Sequence, residues 1–105
     1  MPMTRNFKET IQARALRDRR FRQGILRESI ECMLSGDTTT GKALLRDYIN
    51  ATVGFESLEH ATGTGTKSLM RMLSDKGNPT ANNLFKVISV LQKKEHIHYE
   101  LRAVR

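Results

Sequence analysis

The apolar positions of this chain repeat at helical spacing over most of its length and change to strand spacing only near its end. Phe7, Ile11 and Ala15 recur every four residues, which places them on one helical stripe. A second helix is expected from about Arg19 to Leu34, with Phe21, Ile25, Leu26, Ile30, Met33 and Leu34 as its apolar set. Ser35-Gly36-Asp37 ends it, because Gly36 suits the left-handed position just past a helix. Asp37 or one of the three threonines after it then caps a helix that runs through Asn50 or slightly beyond. Its stripe is Leu44, Leu45, Tyr48 and Ile49.

Two short helices follow, Phe55 to Thr62 and Thr66 to Leu73, joined by a turn from Gly63 to Gly65. The run Ser74-Asp75-Lys76-Gly77-Asn78-Pro79 is rich in turn formers and reads as a loop. Thr80 caps a further helix with the face Leu84, Val87, Ile88 and Leu91, and Lys93-Lys94-Glu95 reads as a polar connector. From Ile97 the period becomes two: Ile97, Tyr99, Leu101 and Ala103 alternate with His98, Glu100 and Arg102, the signature of a half-buried strand. A lone strand is unstable, so this one is expected to pair with its copy in another subunit.

At 105 residues the chain is long enough for one domain with a modest core, which dimerisation would help to stabilise. The pattern divides it into basic amphipathic helices over 1–36 and a second unit over 37–105. No apolar run approaches the roughly 20 residues that cross a bilayer, so no membrane is expected as a partner. The N-terminus has basic residues but no apolar secretory core. The single cysteine, Cys32, has no internal disulfide partner and reads as a small core residue in a reducing, cytoplasmic setting.

Charge sharpens the picture because it is uneven. Residues 5–27 carry eight Lys/Arg against two acids, residues 28–63 two against six, and residues 64–105 eight against three. Both ends suit a polyanion, and the acidic middle should face elsewhere.

The stretch LEHATGTGTKSLMRML, residues 58–73, carries the functional signal. Leu58 and Leu69 would bury the two short helices, while Gly63 supplies the positive φ of a tight turn. The second short helix keeps Leu69, Met72 and Leu73 inward and leaves Thr66, Lys67, Met70 and Arg71 outward. Short hydroxyls and long cations on an exposed helix are the side chains that reach base edges and phosphates. Arg71 has the fork to take a guanine, whereas Lys67 suits a phosphate. Lys76, Gly77, Asn78, Thr80 and Asn82 add donors just before a helix N-terminus, where partial positive charge favours a phosphate. The full set of expected DNA-binding residues is Thr64, Thr66, Lys67, Ser68, Met70, Arg71, Lys76, Asn78, Thr80 and Asn82.

Residues 40–91 resemble the Cro/lambda-repressor (Xre-type) helix-turn-helix family. GKALLRDYINATVGFESL (41–58) and SLMRMLSDKGNPTANNLFKVISVLQ (68–92) are similar to HigA-like antitoxins and related small regulators. The resemblance implies a mainly α fold: a lambda-repressor-like helix-turn-helix bundle with two N-terminal helices and a short C-terminal β-strand able to pair across a dimer. It implies a recognition helix at Thr66–Leu73, phosphate contacts from the Gly77-Asn78-Pro79-Thr80 turn, and a homodimeric repressor on a palindromic operator. It also implies antitoxin activity toward a RelE/HigB-like toxin, in a module that autoregulates its operon. One position departs from the family pattern: Glu59 stands where the first short helix usually carries a small residue.

Other chemistry is thinly represented. His96 and His98 share a strand face, but no cysteine or acidic cluster completes a metal site. No catalytic triad, paired carboxylates or phosphate-binding loop is evident, so neither an enzyme nor a cofactor is expected. A free-standing regulator without a toxin is the nearest alternative. A small RNA-binding protein is a more distant one, since RNA readers expose aromatics and Phe7, Phe21, Phe55 and Phe85 mostly fall on or near apolar stripes.

Overall fold

Three of the helices begin where a short polar side chain, Asp18, Asp37 or Thr80, satisfies one of the first free N–H groups. The computed structural model describes Thr10 and residues 12–105; Phe7 and Ile11 of the first apolar stripe fall outside them. Among the described residues there are six helices: α1 (residues 12–17), α2 (Arg19–Leu34), α3 (Thr38–Ala51), α4 (Phe55–Thr62), α5 (Thr66–Met72) and α6 (Ala81–Glu95). Asp18 Oδ1 accepts from the Phe21 N–H at 3.1 Å to start α2, and Asp37 Oδ1 accepts from the Thr40 N–H at 3.1 Å to start α3. Asp37, not a threonine, is therefore the α3 cap. Thr80 Oγ1 does the same for α6, accepting from the Asn83 N–H at 3.1 Å.

The core draws Leu26 from α2, Leu45, Tyr48 and Ile49 from α3, Phe55 and Leu58 from α4, Leu69 from α5, Leu73 just past it, and Val87, Ile88 and Leu91 from α6. The expected apolar stripes supply most of this core, although Leu34 of the α2 set is 60% exposed and Leu44 of the α3 stripe stays outside the cluster. Leu26 joins the basic N-terminal part of the chain to the same core. Ser29 is buried between α2 and α3, its hydroxyl donating to the Gly41 carbonyl at 2.8 Å. The radius of gyration, 13.6 Å, is close to the roughly 13 Å of a compact chain of this size. No described helix is long and apolar enough to cross a membrane.

Two expectations fail at the C-terminal end. Lys93-Lys94-Glu95 is not a connector but the last turn of α6, which His96 terminates with a left-handed φ of 60°. Glu95 continues the inward stripe one turn beyond Leu91, and its side chain is only 5% exposed. It accepts from Arg22 Nε at 2.6 Å, from the Tyr48 hydroxyl at 2.7 Å and from Gln23 Nε2 at 3.3 Å, tying α2, α3 and α6 together. Burial alone would raise its pKa, but the hydrogen bonds from Tyr48, Arg22 and Gln23 and the Arg22 charge outweigh that and hold it below the ordinary value. Burial, together with the Glu95 carboxylate, pushes the Tyr48 phenol far above its ordinary value.

The second failure is the strand from Ile97, because no residue after His96 is in a strand. A strand needs a ladder partner, and the tail instead satisfies its polar groups on helices. The Ile97 N–H donates to the Gln92 carbonyl at 3.1 Å and the Tyr99 N–H to Gln92 Oε1 at 2.7 Å, while the Tyr99 hydroxyl donates to the Gln23 carbonyl at 2.8 Å. The two-residue period survives only as alternating burial: Ile97 and Tyr99 are half-buried, His98 and Glu100 exposed. Beyond Tyr99 it stops, and Leu101 is 80% exposed.

Removing the Glu95 carboxylate leaves Tyr48 and Arg22 without their acceptor. Glu95→Ala should therefore lower stability by about 2–4 kcal/mol in urea unfolding. The pH dependence follows from the lowered pKa of Glu95 in the folded state. Its stabilisation is complete above the ordinary carboxylate range and disappears as pH falls through the folded-state value. The urea midpoint should hold from pH 7 to about 5 and drop below about 4.5, with a shallower drop in Glu95→Gln.

Candidate nucleic-acid interface

Residues 62–66 turn the chain sharply between two short helices. The turn pivots on Gly63 at φ 77°, a left-handed conformation that costs a side-chain-bearing residue strain. Thr62 Oγ1 donates back to the Leu58 carbonyl at 2.8 Å and accepts from the Thr64 N–H at 3.2 Å. The N-cap of α5, Gly65, has no side chain to offer. Glu59 reaches across from α4 instead: its Oε1 accepts from both the Thr66 N–H and the Thr66 hydroxyl, each at 2.6 Å. Those two bonds, the hydroxyl's first, keep the Glu59 pKa low against a smaller contribution from burial. Glu59 thus has a structural purpose, as the cap that α5 otherwise lacks.

The other end of α5 is held by α3. Arg46 Nη1 donates to the Leu73 carbonyl. One turn earlier, Lys42 is 6% exposed and its Nζ donates to the Asp75 carbonyl at 3.2 Å and the Gly77 carbonyl at 2.6 Å. A carboxylate at the N-terminus of α5 and cations at its C-terminus both interact favourably with the helix dipole. Gly77 is required for a different reason: a Cβ there would collide with the Arg71 and Met72 carbonyl oxygens.

This scaffold creates an open cleft of about 500 Å³ between α5, the following loop and the start of α6. Thr64, Ser68, Arg71, Lys76, Asn78 and Thr80, six of the residues expected from sequence, line it, together with Met72, Ser74, Gly77, Pro79 and Asn83. Lys67 and Met70 are exposed on α5 outside the cleft, and Asn82 is exposed on the first turn of α6. Thr66 is half-buried, with its hydroxyl hydrogen committed to Glu59. Among the described residues Lys67, Arg71 and Lys76 take part in no ion pair, so their charge is free to meet an anion.

Sequence reasoning missed Asn83 in the cleft and the supporting roles of Lys42, Arg46 and Glu59. A signal existed for two of them: Lys42 and Arg46 are the only cations in residues 28–63, four apart on one helix. The aromatics divide differently from the expectation. Phe55 is in the core, Phe21 lies 4.3 Å beneath the Arg14 guanidinium, and Phe85 points outward at 60% exposure. Cys32 is half-buried, and burial followed by the nearby Asp37, Glu28 and Glu31 raises its thiol pKa, keeping it protonated and unreactive at neutral pH. His98 lies 4.0 Å from Glu100 on the surface, and no cluster of three metal-binding side chains occurs among the described residues. Compared with known proteins, the chain matches no family model, no curated protein and no solved structure.

Because Lys42 pins the loop from below the cleft, Lys42→Met should leave the Asp75 and Gly77 carbonyls without their donor. The expected loss is about 1–3 kcal/mol in urea unfolding. Faster amide exchange should appear over 74–79 while α2 stays protected. Uniform loosening of all helices would contradict the local role.

Proposed function

We propose that this protein is a sequence-specific double-stranded DNA-binding regulator that acts as a repressor. The observation that carries the reading is the convergence of Thr64, Ser68, Arg71, Lys76, Asn78 and Thr80 on one cleft, beside a short helix held at both ends. In this reading α5 lies in the major groove, with the Lys67 and Arg71 side chains outermost. Arg71 takes a guanine edge through its two-pronged guanidinium. Lys67 and Lys76 neutralise phosphates, and the capped N-terminus of α6 supplies backbone donors and partial positive charge to another. Glu28, Glu31 and Asp47 are exposed on α2 and α3, and in this reading they lie away from the DNA.

The finer proposal follows the resemblance: the protein binds a palindromic operator as a homodimer and doubles as the antitoxin of a RelE/HigB-like toxin. Co-expression with the product of the neighbouring gene tests that second task. A complex that survives high salt supports it, and separate elution favours a free-standing regulator.

DNA binding itself is tested by gel shift on the protein's own promoter over a salt series. Affinity should fall steeply with salt, as phosphate neutralisation requires. Arg71→Ala should cost about 1–3 kcal/mol and relax selectivity at one base pair, whereas Lys76→Ala should weaken all duplexes alike and reduce the salt slope by about one. Unchanged affinity in Arg71→Ala removes that residue from base reading. Tighter binding to single-stranded RNA than to any duplex contradicts the proposal.

A further inference from the structure

Met70 is 50% exposed in the middle of α5, although Leu69 beside it and Leu73 one turn on are fully buried. It is the large hydrophobic side chain that α5 leaves in solvent, and its surroundings are cationic. Lys67 precedes it by one turn and Arg71 follows it directly, both exposed and neither in an ion pair among the described residues. An apolar protein surface covering Met70 would have to desolvate those two charges, which is costly without anions to meet them. The complementary surface must offer negative charge on either side of a single apolar group. The major groove of duplex DNA has that composition at thymine, whose C5-methyl is the apolar group on its base edges, flanked by phosphates.

Resting on the DNA-binding reading above, we infer that Met70 is a specificity-determining residue that selects thymine by packing its thioether and terminal methyl against the thymine C5-methyl. An unbranched, polarisable side chain suits this contact, because it adjusts to the methyl without a fixed rotamer. Met70 lies outside the cleft lined by Ser68 and Arg71. The inference therefore gives α5 two separate reading elements, a polar one on the cleft side and an apolar one away from it.

The test uses the full chain and duplexes enriched from a randomised DNA library. The enriched duplex is resynthesised with deoxyuridine replacing thymidine one position at a time, which removes only the methyl group. For the wild-type protein, uracil at one or more positions should weaken binding about fourfold per methyl contacted, the value expected for burying one such group. Met70→Ala should bind more weakly and be indifferent to uracil there, and Met70→Leu should recover part of the effect. Met70 is on the surface, so these variants should keep the wild-type circular dichroism and unfolding midpoint. Wild-type indifference to uracil at every position, or equal sensitivity in Met70→Ala, overturns the inference alone. A library that yields no enriched sequence overturns the DNA-binding reading and the Met70 inference with it.

Discussion

A helix of seven residues has no stability of its own, since isolated helices shorter than about 12 residues are marginal in water. α5 is such a helix, and it persists because contacts from two other helices hold its ends. Glu59 accepts from its first N–H, Arg46 donates to the Leu73 carbonyl just past its end, and Lys42 fixes the loop beyond. Leu69 and Leu73 anchor its inner side in the core. Charge is placed with the helix dipole at both ends, so the clamp is electrostatic as well as geometric. With its ends and inner face committed, α5 has only its outer face left to present, and that face is cationic.

The clamp depends in turn on the packing of α3. Lys42 and Arg46 reach α5 from the same helix that sends Leu45, Tyr48 and Ile49 into the core. Tyr48 is itself held by Glu95, whose other partners, Arg22 and Gln23, come from α2. A chain of contacts therefore runs from the basic N-terminal half through α3 to the cleft. Through these contacts and Leu26, α2 shares the core with the rest of the described molecule.

Much of this was legible in the sequence because it rests on local chemistry. Asp37 and Thr80 cap helices within three residues of themselves, and the positive φ at Gly36 and Gly63 is a local demand. The apolar stripes of α3 and α6 predicted their buried faces for the same reason. Contacts between residues far apart in sequence were harder to read. Glu95 follows two lysines and looks solvated, yet its partners Arg22 and Tyr48 lie 73 and 47 residues away. Glu59 looked like a misfit because its role depends on where the turn brings Thr66. The C-terminal alternation was read as one side in and one side out, but only Ile97 and Tyr99 follow it while Leu101 and Ala103 are exposed, and alternation does not specify a ladder. Gln92 and Gln23 absorb the Tyr99 polar groups instead.

The central claim is that a clamped α5 and its neighbouring cleft form the DNA-facing surface. Amide chemical-shift mapping of the labelled protein during titration with duplex DNA tests it most directly. The account predicts shifts concentrated over residues 64–82, reversed by added salt, with the core amides of α2 and α3 little changed. Shifts centred on the arginines between 14 and 27, with residues 64–82 unmoved, would contradict it.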